Sequence, residues 1–427
     1  MKEIKVGFFG LGTVASQVLK QMTKQNEYFK SNFGFTFVPY KACVRNINKS
    51  RDLATQIEMS DDPNFILLDD EVDMYLELMG GIDLAKKVIL SGFSKNIPVI
   101  TANKMLLAET GEEIFRMFKN SNSYLGFEAA VCGGIPIINS INDSYSGDNI
   151  VNILGILNGT SNFILSSMRH SNIEFEQALN KAWELGYAEE DPSLDIGGFD
   201  AAHKLILLMN LSFKKIFKYS ELSISGIEDI TLRDIEYINE LGYEIKLLGK
   251  ATKMGNDVEA FVRPGLVSQN HPFAKVDGSL NAVMLESEFA LQNHFLGHGA
   301  GGKPTANSVV SDMIDSIFLG DQTSNSKYKN FVSVAYEGQL VSPDHEYYIS
   351  MRIKDELGAL NKTTKILENN GVSVSKLIQK DLVYQEQKIA DLNIITHKTN
   401  ENKILKIMED IRKMDITLSP GKFYIIL

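Results

Sequence analysis

At 427 residues, with 44% hydrophobic and 23% charged residues, the chain has the composition of a globular protein and exceeds one ordinary core, so two or three domains are expected. A formal net charge of -11 and the lack of a basic stripe exclude wholesale nucleic-acid binding. No apolar run approaches the roughly 18 to 20 residues of a membrane span, and two cysteines, Cys43 and Cys132, give neither a disulfide framework nor a metal-ligand spacing, which fits a reducing, cytoplasmic setting.

The opening segment "MKEIKVGFFGLGTVASQVL" carries charge and then apolar residues, but Gly, Thr and Ser interrupt the run early, so it reads as a first strand and turn rather than a leader. Strand-like and helix-like segments then alternate: "IKVGFFG", a helix from Val14, "TFVPYKACVR", "MYLELMG", a helix from Leu84 and "IPVITANK". This alternation predicts an α/β, Rossmann-type dinucleotide-binding domain over residues 1–138. In "VGFFGLGTVA", Gly10, Gly12 and Ala15 form a G-x-G-x-x-A pattern between strand and helix. Gly10 permits the tight turn, Gly12 lets a pyrophosphate approach the backbone, and Ala15 allows close packing of helix on sheet. The amides of Thr13 and Val14 at the helix start would hold phosphate. Arg45 stands at the end of the second strand, where NAD-preferring sites carry an acid, so a cation there favours NADP while leaving NAD possible. Lys49 and Arg51 could assist, although such cations are usually just solvated. Lys104 of "TANK" follows a strand at the carboxyl edge of the expected sheet, the edge at which open α/β folds bind ligands.

From about Asn139 the pattern changes. "NIVNILGILNGT" reads as a strand and turn, helices follow near 161–170, 174–185 and 200–217, and further strands include "YEIKLLGKATKM" and "DVEAFVRPGLV". An α+β substrate-binding and dimerisation domain over 139–299 is expected, then a Gly-rich loop feeding a helix at about 300–320 that returns to the first domain. Residues 321–345 read as a polar linker. The tail, 346–427, runs strand, helix, strand, strand, helix, strand, which predicts a small ferredoxin-like domain.

The stretch "GYAEEDPSLDIGGFDAAHK" crowds Glu189, Glu190, Asp191, Asp195 and Asp200 ahead of Lys204. Asp200 occupies the first turn of a helix, where the dipole favours an acid, and Lys204 lies one turn on along the same face. Leu205 to Met209 make that helix apolar nearly all round and hence buried. A buried lysine needs partners or loses its proton; with Lys104 nearby, one amine is expected to exchange a proton near pH 7.

These motifs, with "GLGTVA", "ILNGTSNFIL" and "GAGGKPTANSVVSD", closely resemble homoserine dehydrogenase, in order from residue 3 to about 320. The tail segment "YYISMRIKDELGALNKTTKILENNGVSVSKLIQK" resembles an ACT domain, a ligand-sensing module. The resemblance implies reversible NAD(P)H-dependent reduction of L-aspartate 4-semialdehyde to L-homoserine, with Lys204 donating the proton and Lys104 as a second lysine near the carbonyl oxygen and the nicotinamide. It implies that Glu189, Asp195 and Asp200 hold the substrate. Asn158, Gly159 and Thr160, in a turn entering a helix, offer amides for its carboxylate. It also implies a monovalent cation, commonly sodium, on the Glu128 side chain and the carbonyls of Val131, Gly133 and Ile135, and close approach of Gly186 and Gly302 to the cofactor. His298 is read as a loop residue. Cys132 could suggest the thiol nucleophile of an aldehyde-oxidising enzyme, but no histidine accompanies it in its motif. In the tail, Asp355 to Leu360 would face an effector, threonine above all, and a homodimer or homotetramer is expected; a catalytically silent sensor is the remaining alternative.

Overall fold

The structure, a computed structural model, describes residues 2–51, 56–319, 334–384 and 387–427. Six strands, β1 (Lys2–Phe9), β2 (Phe35–Cys43), β3 (Glu58–Ser60), β4 (Met74–Glu77), β5 (Val99–Thr101) and β6 (Leu125–Gly126), form a parallel sheet in the order β3-β2-β1-β4-β5-β6. Its order reverses between β1 and β4, and the crevice outside that reversal is where a doubly wound sheet takes a dinucleotide. The helix Thr13–Phe33 starts directly after the glycine loop and stops at Gly34, whose left-handed φ of 80° ends it. The helix Gly302–Leu319 returns to lie against it, and Val309, Val310 and Met313 join the core beside Val18, Leu19 and Met22.

The remaining strands are β7 (Ile150–Ile156), β8 (Ser223–Ile224), β9 (Tyr243–Met254), β10 (Asp257–Ser268), β11 (Leu280–Ser287), β12 (Leu291–His298), β13 (Glu346–Lys354), β14 (Val374–Tyr384), β15 (Gln387–Thr396) and β16 (Thr417–Ile426). They belong to one sheet, ordered β12-β11-β7-β9-β10-β16-β13-β15-β14, with β8 on β10. The tail supplies β13 to β16, every neighbouring pair antiparallel, covered by the helices Ala359–Asn369 and Glu401–Arg412, which is the ferredoxin-like arrangement. It is not a detached module. Its last strand pairs in parallel with β10 through Gly265↔Ile425 and Leu266↔Ile426, so the tail sheet continues that of the middle region.

Part of the expected linker, 321–333, lies outside the described residues. Residues 334–345 are laced onto the middle region: Tyr336 stacks on Phe217 at 4.3 Å, and the amides of Val258 and Val341 bond to Gln339 and Val258 carbonyls. Polarity in the sequence concealed this, because the bonds are made by backbone.

The helix Phe199–Phe213 buries every residue from Asp200 to Phe213. One flank packs on β7, β9 and β10 and another on the helix Lys104–Lys119 of the first domain. That double contact explains its apolar surface. It also carries Asp200 and Lys204 to the seam between the domains.

Candidate active site

A cleft of about 240 Å³ opens where β4 and β5 end. Met79 to Gly81 and Ala102 to Met105 line it from the first domain; Glu189, Asp191, Leu194, Asp195, Asp200 and His203 line it from the second. Gly10 adjoins the same loop, since a Cβ there would meet the Leu78 carbonyl at 2.8 Å and Met79 Cγ at 3.0 Å. The glycine turn and the cleft are contiguous.

Asp200 is the centre of the charge arrangement. Its Oδ1 lies 3.1 Å from Lys104 Nζ and its Oδ2 accepts from Lys204 Nζ at 2.8 Å. Lys204 also donates to the Leu157 carbonyl at 2.7 Å, while Asn158 Nδ2 donates to both Asp195, at 2.6 Å, and Asp200, at 2.8 Å. Burial opposes the charge on Asp200, but the two ammonium groups outweigh it and hold the carboxyl well below the usual range. Burial likewise works against the Lys204 ammonium, yet Asp200 foremost raises its pKa above the ordinary lysine value. The expected drift of a lysine toward neutrality is thus corrected for Lys204: a shared carboxylate outweighs both burial and the second amine. Asp195 is pushed upward, first by burial and then by the charge of Asp200.

The two lysines differ in setting. The Lys204 side chain is 7% exposed and rigidly bonded, whereas that of Lys104 is 37% exposed at the cleft wall. Lys104 begins a helix whose start is capped by Asn103, its Oδ1 accepting from the Leu106 amide at 3.1 Å. Glu189 is exposed on the acidic loop, and its carbonyl accepts from Trp183 Nε1 at 2.7 Å. Thr160 stands behind that loop, its hydroxyl donating to the Tyr187 carbonyl at 2.7 Å, so its side chain braces the loop. Gly186 takes a left-handed φ of 72° where the loop leaves the preceding helix, with open space in place of a Cβ.

At the dinucleotide end, Gly10 has a left-handed φ of 96° and bonds through its amide to Cys43 at the end of β2. Nothing stands within 4 Å of where a Gly12 Cβ would be, and no side chain caps the helix Thr13–Phe33. Free space and uncapped amides suit a phosphate. Ala15 is buried, and Gly302 rests against Thr13 and Gln17, beside the turn. Arg45 is exposed just past β2, whereas the Arg51 guanidinium is spent on the carbonyls of Asn46 and Lys49.

The loop after β6 is tight and strained. Cys132 holds φ 53° and Gly133 φ 31°, and the buried Glu128 carboxylate accepts from the amides of Ile138, at 2.9 Å, and Asn139, at 2.7 Å. The Gly133 carbonyl accepts from the Ser308 hydroxyl and that of Ile135 from the Ile137 amide; the Val131 amide donates to the Glu128 carbonyl. Among the described residues no three His, Cys, Asp or Glu side chains gather as a metal site; a second carboxyl, that of Asp312, also reaches this loop, accepting from the Glu128 amide at 2.9 Å. Cys132 is fully buried, and burial pushes its thiol up, the opposite of what a nucleophile needs. His298 is exposed at the end of β12.

Sequence reasoning missed the carboxamide of Asn158 as the clasp on both aspartates, the cap at Asn103, the Met79 to Gly81 loop and His203 in the cleft wall. Two of these left a signal: Asn directly before a helical run is a capping pattern. The aspartate contacts depend on pairing across 37 and 42 positions, which no local pattern reports.

The family model described as "Homoserine dehydrogenase, NAD binding domain" matches residues 10–128, and that described as "Homoserine dehydrogenase" matches residues 136–314. A homoserine dehydrogenase of Neisseria gonorrhoeae is 36% identical over 426 residues, 98% of each chain. The crystal structure of a homoserine dehydrogenase from Thiobacillus denitrificans superposes with a TM-score of 0.91 at 34% identity, covering 100% of this chain and 98% of that one. A hyperthermophilic archaeal homoserine dehydrogenase in complex with NADPH shares the fold, with a TM-score of 0.62 at 23% identity over 74% of this chain and 98% of that one. With an NAD-binding sheet, a cleft at its carboxyl edge lined by Lys104 and Asp200 and relatives spanning nearly the full chain, the protein belongs to the homoserine dehydrogenase family of NAD(P)-dependent oxidoreductases.

Proposed function

We propose that this chain reduces L-aspartate 4-semialdehyde to L-homoserine with NADPH, reversibly, and that Lys204 is the proton donor. The observation that carries the reading is the bridging of two ammonium groups by Asp200 inside the cleft. A bound nicotinamide supplies the hydride that adds to the aldehyde carbon. Negative charge then builds on the carbonyl oxygen; the ammonium of Lys204 stabilises it and passes one proton to that oxygen, and Asp200 stabilises the lysine in its charged form beforehand. In the oxidative direction the same lysine, as free amine, accepts the hydroxyl proton. Lys104 adds a second positive charge from the more open wall. Glu189, Asp195 and Asp200 take the substrate ammonium, and the amides of Gly159 and Thr160, beside the Asn158 cap, take its carboxylate.

The turn Gly10 to Ala15 would hold the pyrophosphate, with Gly302 closing its flank and Gly186 bordering it from the acidic loop. Arg45 would take the 2′-phosphate, which gives the preference for NADP over NAD. For the cation, the donors are hard oxygens in a loop that strain keeps from relaxing, Glu128 with the carbonyls of Val131, Gly133 and Ile135; such a set suits sodium. In the tail, a cavity of about 730 Å³ is lined by Asp355, Glu356, Gly358, Asn361 and Thr364, among others. Acids for an ammonium beside the uncapped start of the helix Ala359–Asn369 for a carboxylate support an amino-acid effector, threonine as end product, acting on a homodimer or homotetramer.

The test is NADPH oxidation with L-aspartate 4-semialdehyde, comparing the wild type with a folded Lys204→Ala. A fast wild type and a variant slowed roughly 100-fold or more support the reading. Equal rates would remove Lys204 from the mechanism.

A further inference from the structure

Glu77 ends β4 with its side chain fully buried, and no step of the reaction described above uses it. Its Oε2 accepts from Thr101 Oγ1 at 2.5 Å and its Oε1 from the Met79 amide at 3.0 Å. Thr101 Oγ1 in turn accepts from the Asn103 amide at 3.0 Å, and Asn103 Nδ2 donates to the Gly81 carbonyl at 2.7 Å. The bonds close a ring around both loops that line the first-domain side of the cleft. Asn103 is also the cap of the helix that Lys104 begins, so the ring terminates at the backbone of a cleft lysine.

We propose that Glu77 is a positioning residue for the reaction, fixing Lys104 and the Met79 to Gly81 loop through Thr101 and Asn103. A carboxyl in this place is expensive: burial, only partly offset by the hydrogen bonds from Thr101, Met79 and Asn103, pushes it up to about 7. Packing alone would be served by an apolar residue of the same size. What an apolar residue cannot do is accept from two donors on two loops at once, and only an acceptor with two oxygens a fixed distance apart couples the ends of β4 and β5. Each loop then has its place set by the other.

This inference rests on the reading that Lys104 takes part in the reaction, and a double-mutant cycle separates the two. Turnover and KM are measured for the wild type, Glu77→Gln, Lys104→Ala and the double variant, each with its Tm. The expected result is a roughly tenfold lower kcat for Glu77→Gln, KM for the semialdehyde within about twofold, and no further loss when the change is made on the Lys104→Ala background. An equal loss on both backgrounds would overturn the positioning role and leave a purely structural one. If Lys104→Ala alone turns over like the wild type, the reading of Lys104 fails instead. Should Glu77→Gln not fold, Thr101→Val breaks the same ring one link nearer the lysine and must show the same cycle; additivity there sinks the proposal.

Discussion

Replacing Asp200 by Asn tests the charge arrangement most directly. The substitution keeps the shape and leaves an amide oxygen for Lys204 at the 2.8 Å position, but it removes the negative charge shared by two ammonium groups. Breaking a buried pair by neutralising one partner costs about 3 to 5 kcal/mol, and it removes the foremost cause that raises the Lys204 pKa, so burial then pushes that pKa down. In the wild type the folded-state pKa of Lys204 is raised, so its contribution to stability is complete below the unfolded value and lost as pH rises through the folded one. Asp200, with its folded pKa depressed, contributes above its unfolded value and fails only as pH falls through the folded one. Through neutral pH the wild-type pair therefore gives no slope. In Asp200→Asn the lysine becomes a buried base with a lowered pKa, so it penalises the fold most at low pH and less as pH rises. The assay is kcat for semialdehyde reduction from pH 6 to 10, with Tm along the same series. The expected outcome is an alkaline limb displaced to lower pH, and a Tm deficit that narrows toward alkaline pH. An unmoved limb with a constant Tm deficit would refute the reasoning, since Asp200 would then be supporting packing rather than the charge on Lys204.

Arg45→Ala should raise KM for NADPH by roughly 10- to 100-fold, the loss expected for one charge-assisted phosphate contact, and leave KM for NADH nearly unchanged; equal changes for both would remove Arg45 from the 2′-phosphate. Cys132→Ala should keep turnover within a few-fold, since the buried thiol is held protonated, whereas abolished turnover in a folded variant would revive a thiol mechanism. Sodium chloride should raise the wild-type Tm above that in choline chloride of equal ionic strength, and Glu128→Gln should erase the difference; no difference in the wild type speaks against the cation. Threonine should shift Tm and turnover in the wild type, with the shift reduced in Asp355→Asn, and a flat response would confine the tail to assembly.

Much of the molecule was legible from local pattern. The glycine turn needs a left-handed residue at Gly10 and room at Gly12, and both requirements are written in residue type. The apolar helix after Asp200 announced burial, because five successive apolar residues leave no solvated face. The βαββαβ order of the tail followed from alternating periodicities of two and of three to four residues. Short strands escaped: Glu58–Ser60 and Leu125–Gly126 have too few residues to show a period, and they exist because the sheet beside them offers partners.

The sequence by itself determined which residues carry charge and which segments must be buried, since residue type sets the cost of desolvation. Only the tertiary structure decided that Asp200 faces two lysines at once, and hence that Lys204 is held charged instead of drifting toward neutrality. The spacing of Asp200 and Lys204 is local to one helix, but the approach of Lys104 depends on how that helix packs across the domain seam. The same holds for the tail, whose order of strands was readable, while its fusion to β10 through two backbone pairs was not, because backbone hydrogen bonds between distant strands carry no mark in the side-chain pattern.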